Sequence, residues 1–166
     1  MLYTPADLEQ ARAEQARRRL WVWLPAALLF TVAILSFVWF RLRHDVSGWW
    51  VTGLITILGG AYALFMNGVY LHPVTLYRRH LEFMLGDRLR ETTGRLVSVN
   101  TVPADHEGLD CLSLVLNVGS ADAAEDERLF YLDVLKTLPA CEPGAILRIR
   151  SNNRMVAGIE ILPKES

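Results

Sequence analysis

Leu20–Phe40, LWVWLPAALLFTVAILSFVWF, is a run of 21 residues without a charged side chain. At a rise of about 1.5 Å per residue, a helix of this length covers about 30 Å, the thickness of a bilayer's hydrocarbon core. Trp21 and Trp23 stand at one end and Trp39 at the other, where indole rings favour the head-group level. Pro25 lies near the start, where a missing N–H is best tolerated. A cleaved signal peptide fits poorly: the run is too long, 19 polar-rich residues precede it, and no small-x-small cleavage site comes after it. The run predicts a first membrane span over 20–40.

A second uncharged run, Trp49–Leu71 (WWVTGLITILGGAYALFMNGVYL), predicts a second span over 49–71. Thr52, Thr56 and Gly60 repeat every four residues, and Gly59 with Ala63 makes another small-xxx-small pair. Such a stripe lets backbones approach closely, against the first span or against a second copy of the chain. Asn67 is the one strongly polar side chain in the run; it reads as an interhelical hydrogen-bonding group rather than an ion or substrate site. The short external loop 41–48 forces an antiparallel hairpin. Arg12, Arg17, Arg18, Arg19, Arg78, Arg79, Arg88 and Arg90 flank the spans on one side, against Arg41 and Arg43 in the loop, which Asp45 partly offsets. That bias places both termini in the cytoplasm. Arginine outnumbers lysine 15 to 2, which points to a GC-rich bacterial source and hence to a bacterial plasma membrane.

Outward from the spans, residues 1–19 form a cytoplasmic helix that runs on into the first. Thr4 caps it, Pro5 suits its first position, Asp7 completes a T-x-x-D box, and Glu14 can pair with Arg18. Pro73 opens an amphipathic juxtamembrane helix across 72–90, with Tyr77, Leu81, Met84, Leu85 and Leu89 on one side. This helix lies on the membrane surface or packs beneath the C-terminal domain, and His80 on it reads as a solvated or head-group-facing ring.

From Glu91 the apolar period changes to two, so 91–166 reads as an all-β cytoplasmic domain. Five strands are expected: Gly94–Val102, Leu109–Val118, Arg128–Leu135, Ala145–Arg150 and Arg154–Leu162. Leu112, Leu114, Leu116 and Val118 share one face of the second, and Phe130, Leu132 and Val134 point inward from the third. Asn152-Asn153 suits a two-residue turn between the last two strands, with Ile149 opposite Val156. A bulge at Gly158 then returns Ile159 and Ile161 to the inward face. The expected architecture is a five-stranded antiparallel barrel, OB-like or SH3-like, whose small core is marginal by itself.

The order of parts resembles that of NfeD-type bacterial membrane proteins, in which spans precede an OB domain. The likeness covers the layout and a TG…PG…β-hairpin frame over 94–162; the long second strand Leu109–Val118 departs from it, and no site residue is carried over.

Charge divides along the chain. Residues 1–90 hold 10 Arg/Lys against 6 Asp/Glu, and residues 91–166 hold 7 against 12. The basic half is the half that meets lipid, and the acidic half disfavours nucleic acid as a partner. Cys111 and Cys141 read as buried, reduced thiols, with a disulfide left open. Asp105, His106, Glu107 and Asp110 cluster on a hairpin and read as a solvated loop rather than a metal or acid–base site; Glu125-Asp126-Glu127 is likewise a charged loop. Arg148, Arg150 and Arg154 gather on the last hairpin, as an anion- or partner-binding group or as an exposed strand face paired with residues such as Glu160. With no GxSxG, Walker loop, HExxH or Cys–His pair in the chain, no catalytic residue, metal or cofactor is expected. The leading functional expectation is a non-enzymatic, membrane-anchored module that binds a protein partner or assembles as a subunit, including as a homo-oligomer. The alternatives are an oligomeric transport or channel component packed through the second span, and a ligand sensor or enzyme with a site in the barrel.

Overall fold

The computed structural model describes residues 1–86, 88–119 and 124–163; the expected end of the β domain at Ser166 lies outside them. The chain forms two compact units. One is helical and comprises Gln10–Thr75; the other joins Met1–Glu9 to the chain from Leu76 onward.

Helix α1 runs unbroken over Pro5–Leu42. Its start is the expected capping box: Thr4 N–H donates to Asp7 Oδ2 at 2.8 Å and Asp7 N–H donates to Thr4 Oγ1 at 3.3 Å. On its surface Arg18 Nε meets Glu14 Oε1 at 2.8 Å. After a tight turn with His44 at φ 53°, Asp45 accepts the Ser47 N–H and caps a 3-10 turn, Val46–Gly48. Helix α2 (Trp49–Met66), a π-helical stretch (Asn67–Leu71) and helix α3 (His72–Met84) continue from it without a break. The helix therefore does not restart at Pro73. The widened turn, with His72 N–H bonded to Asn67 O, sits directly before the proline and absorbs the bond that Pro73 cannot make.

Both long helices are long and apolar enough to cross a membrane, and only 17% of each apolar window is buried. A core helix of a soluble protein hides most of such a window. Here Leu28, Leu35, Ile57 and Leu64 stand open on the outer faces.

Within the helical unit the two helices pack antiparallel. Gln15 Nε2 reaches Thr75 Oγ1 at 2.9 Å, Arg18 Nη1 reaches Tyr70 O at 3.0 Å, and Tyr62 Oη donates to Trp21 O at 2.9 Å. Val22, Ala26 and Ala33 form the buried stripe of α1. The expected small-residue stripe of α2 divides. Gly59 is buried, and a Cβ there would lie 3.3 Å from Leu29 Cβ; Thr52 and Ala63 are half-buried on the same side. Thr56 is exposed and bonds back to Thr52 O at 2.8 Å, Gly60 has open space where a Cβ would be, and Asn67 is exposed. A Gly59→Leu substitution is therefore expected to force the helices apart and lower the unfolding temperature in detergent, while Gly60→Leu leaves it nearly unchanged. Equal losses from both would contradict this packing.

The second unit is built on a five-stranded mixed sheet of β1 (Arg90–His106), β2 (Leu109–Asn117), β3 (Glu127–Asp133), β4 (Ile146–Asn152) and β5 (Met155–Leu162), in the order β1-β2-β3-β5-β4, with β4 pairing back to β1. β1 is much longer than Gly94–Val102. Its first half pairs with β4 and its second with β2, and an irregular stretch between Asn100 and Ala104 accommodates Pro103. Gly94 sits where β1 crosses closest to β2, since a Cβ there would lie 2.5 Å from Asn117 O. The core is Leu96, Leu114, Leu116, Phe130, Leu132, Leu147, Ile149 and Val156.

Four expectations are corrected. The sheet is not all antiparallel: residues 134–145 carry the chain across to set β4 beside β1, so β5 returns parallel to β3, joined by the pair Tyr131↔Met155. The β4–β5 turn is shifted by one residue: Asn153 and Arg154 take φ 46° and 71°, with Asn152 facing Met155 and Ile149 facing Ile159. The bulge falls at Ala157 rather than at Gly158; it does return Ile159 and Ile161 to the inward face, opposite Ile149 and Leu147, with Ile159 half-buried and Ile161, near the strand end, 44% exposed. Val134 lies past the end of β3, at 40% exposure, and Asp133, on the opposite face from Phe130 and Leu132, is buried instead.

Candidate functional site

The three arginines of the last hairpin do not act together. β4 alternates Leu147 and Ile149 inward with Arg148 and Arg150 outward. Arg148 Nη1 lies 3.4 Å from Glu160 Oε2, the cross-strand partner the sequence indicates, and Arg150 Nε lies 2.7 Å from Glu91 Oε1 on β1. Both pairs are exposed and contribute little. Arg154 is separated from them because the turn holds it in the left-handed region.

Arg154 instead joins Arg88, Arg90 and Arg128 around a groove of about 910 Å³. The start of β1 supplies Arg90 and Thr92, the first half of β3 supplies Glu127–Phe130, and the β4–β5 turn closes the third side. All four arginines are exposed, and among the described residues none makes an ion pair. Among the described residues Glu127 is the one acid on the lining. A concentrated basic site thus lies on the β unit, where Arg88 and Arg90 from the basic half meet Arg128 and Arg154 from the acidic half, and the guanidinium groups can bind carboxylates or phosphates bidentately. In the sequence Arg88 and Arg90 count only as membrane-flanking charge, and nothing singles out Arg128. Their convergence depends on the registers Arg90↔Ser151 and Leu116↔Arg128 and on the β3–β5 link, none of which a local pattern encodes.

The same unit carries a buried polar cluster. His80 is not solvated. It is buried beneath the first residues of the chain, with Tyr3 Oη 3.0 Å from its Nε2 and Tyr77 stacked beside it. Leu2 N–H donates to Ala157 O at 2.9 Å, and Lys136 Nζ meets Asp7 Oδ2 at 3.0 Å. Asp133 is buried here; its Oδ1 accepts the Leu135 N–H at 2.8 Å. Burial and the nearby Asp133 push the Tyr77 hydroxyl up to about 12 and the Cys111 thiol up to about 11, so the buried thiol stays protonated and unreactive. Thr4 and Lys136 hold the Asp7 carboxyl below its ordinary range. Both cysteines are free. On the Asp105–Asp110 hairpin, His106 stacks on Tyr131 at 3.7 Å while Asp105, Glu107 and Asp110 face solvent. Among the described residues no group of His, Cys, Asp and Glu is arranged to hold a metal ion.

Burial holds the His80 imidazole below its ordinary pKa, with Asp133 and Glu107 opposing in part. The docked form is therefore neutral at His80, and its stability is complete above about pH 6.5 and declines as pH falls further, by up to about 1.4 kcal/mol per unit. Hydrogen exchange at the Leu2 amide, corrected for its intrinsic rate, is expected to show weaker protection at pH 5.5 than at pH 7.5. Equal protection would contradict the burial of a neutral imidazole.

Comparison with known protein families, curated proteins and solved structures gives no match to this chain.

Proposed function

We propose that this chain is a membrane-anchored, non-enzymatic interaction module. Its helix hairpin tethers a small OB-type barrel to the cytoplasmic face of a bacterial plasma membrane, and the barrel docks a protein partner within a larger assembly. The observation that carries this reading is the groove of four arginines that make no ion pair among the described residues. Uncompensated like charges held together repel one another, and an acidic partner relieves that cost. The barrel assignment rests on the cyclic strand order and the parallel β3–β5 pair, an arrangement that favours a five-stranded Greek-key barrel over an SH3-like one. Orientation rests on the arginine bias of the sequence.

Photo-crosslinking in intact membranes tests the reading. A crosslinker at Leu129, on the groove, should give a discrete protein adduct that disappears when Arg128 and Arg154 are changed to Glu. One at Val102, exposed and away from the groove, should give none. Indistinguishable adduct patterns would overturn the proposal.

A second reading, an oligomeric transport or channel component, draws on the open space at Gly53, Gly60 and Gly68 of the second apolar segment. Disulfide crosslinking through cysteines at Thr56 and Gly60 into a ladder of copies would favour it.

A further inference from the structure

The arginine groove borders a gap in the sheet's pairing. β3 bonds along one side to β2 through its whole length, with pairs from Cys111↔Asp133 to Asn117↔Glu127. On its other side it meets β5 only at Tyr131, whose N–H donates to Arg154 O at 2.9 Å. Backbone groups alternate in direction along a strand, so Leu129 and Glu127 turn their N–H and C=O to the same side as Tyr131. β5 begins at Met155 and runs away from them. Among the described residues no strand pairs with that side of Leu129 and Glu127. A free strand edge recruits another strand, and here it opens into the groove that holds Arg88, Arg90, Arg128 and Arg154.

Resting on the interaction-module reading above, we propose that the groove receives an acidic, extended segment of a partner protein, which adds as a short strand beside Glu127–Leu129 while its carboxylates engage the four arginines. The backbone edge supplies affinity for an extended chain, and the cations select its side chains. Two features disfavour the other polyanions. A nucleic-acid backbone offers no strand to the free edge, and the surrounding sequence is acidic, with 12 Asp/Glu against 7 Arg/Lys over residues 91–166. Anionic head groups likewise leave the Leu129 and Glu127 backbone without partners.

The test uses the full chain in nanodiscs of neutral phosphatidylcholine. The probe is a fluorescein-labelled heptapeptide of alternating Glu and Val, assayed beside two analogues N-methylated at all Glu or all Val positions. The parent peptide should bind, and raising the salt should weaken it. One methylated analogue should lose about tenfold or more in affinity while the other is largely retained, because an added strand pairs along one edge only. Arg128→Gln and Arg154→Gln should each weaken binding about three- to tenfold, and Arg148→Gln, on the outer face, should not.

Equal binding of all three peptides, still dependent on Arg154, would overturn strand addition and leave the interaction module standing. Tighter binding of an oligothymidylate of equal charge, or displacement of the peptide by anionic phosphatidylglycerol in the disc, would overturn the occupant. No binding by any probe, together with no groove-dependent crosslink in membranes, would overturn both.

Discussion

Leu132→Ala is expected to be among the most damaging single substitutions in the β unit. Leu132 is fully buried on β3, pairs with Leu112 on β2 and belongs to the core with Leu96, Leu114, Leu147 and Ile149. Truncation removes its transfer energy and leaves a cavity, at a cost of about 2–5 kcal/mol. Single domains of this size are stable by about 5–15 kcal/mol in all, so the loss is a large share. It should lower the unfolding temperature by at least about 10 °C. Ile161→Ala provides the contrast. From the pattern alone Ile161 is as good a core residue as Leu132, and it lies opposite Leu147 on the inward face, but near the end of β5 it stays 44% exposed. Its truncation should cost no more than about 1 kcal/mol. Thermal unfolding of the two variants, followed by the β-sheet circular dichroism signal, measures both. Comparable losses would mean that the end of β5 is packed rather than open at Ile161.

The second large effect concerns the first apolar helix. Leu20–Phe40 contains 12 Leu, Ile, Val and Phe residues, each worth about −0.3 to −0.6 kcal/mol at a helix centre, against about +2.5 to +3.5 for each arginine. The double variant Leu29→Arg/Ala33→Arg therefore cancels most or all of the driving force for insertion. Both positions lie on the face turned to α2, Ala33 being buried and Leu29 set against Gly59, so the guanidinium groups also disrupt the helix pair. With one span lost, the two ends of the chain fall on opposite sides of the bilayer. Protease accessibility of the N-terminus and of the β unit, in sealed vesicles, should then differ where in the parent chain they agree. Unchanged accessibility in a fully inserted double variant would show that this helix is not a span.

What is legible in the sequence is local. A long uncharged run announces a helix long and apolar enough to cross a membrane, the Thr4–Asp7 box announces a helix start, and period-two alternation announces strands; each lies within a few residues of its cause. The β4–β5 turn falls one residue from its expected place because Asn152-Asn153 carries the stronger turn signal, yet the pairing of Asn152 with Met155 puts Arg154 in the left-handed position. The burial of His80 is hidden because its cover, Tyr3, lies 77 residues away. The arginine groove is hidden for the same reason: Arg88, Arg128 and Arg154 are scattered in sequence, and their meeting depends on strand order. Arg148 and Arg150, neighbours of Arg154 in sequence, are turned away by the pleat and held by Glu160 and Glu91.

A hairpin that crosses the bilayer twice and leaves the β unit in the cytoplasm underlies every functional expectation above. Impermeant maleimide labelling of intact cells tests it directly, with Cys141 changed to Ser and single cysteines at Val46 in the helix connection and at Val102 on β1, both well exposed. The prediction is that the Val46 cysteine is modified in intact cells and the Val102 cysteine only after permeabilisation. Modification of the Val102 cysteine from outside, or protection of both until the membrane is opened, would contradict it.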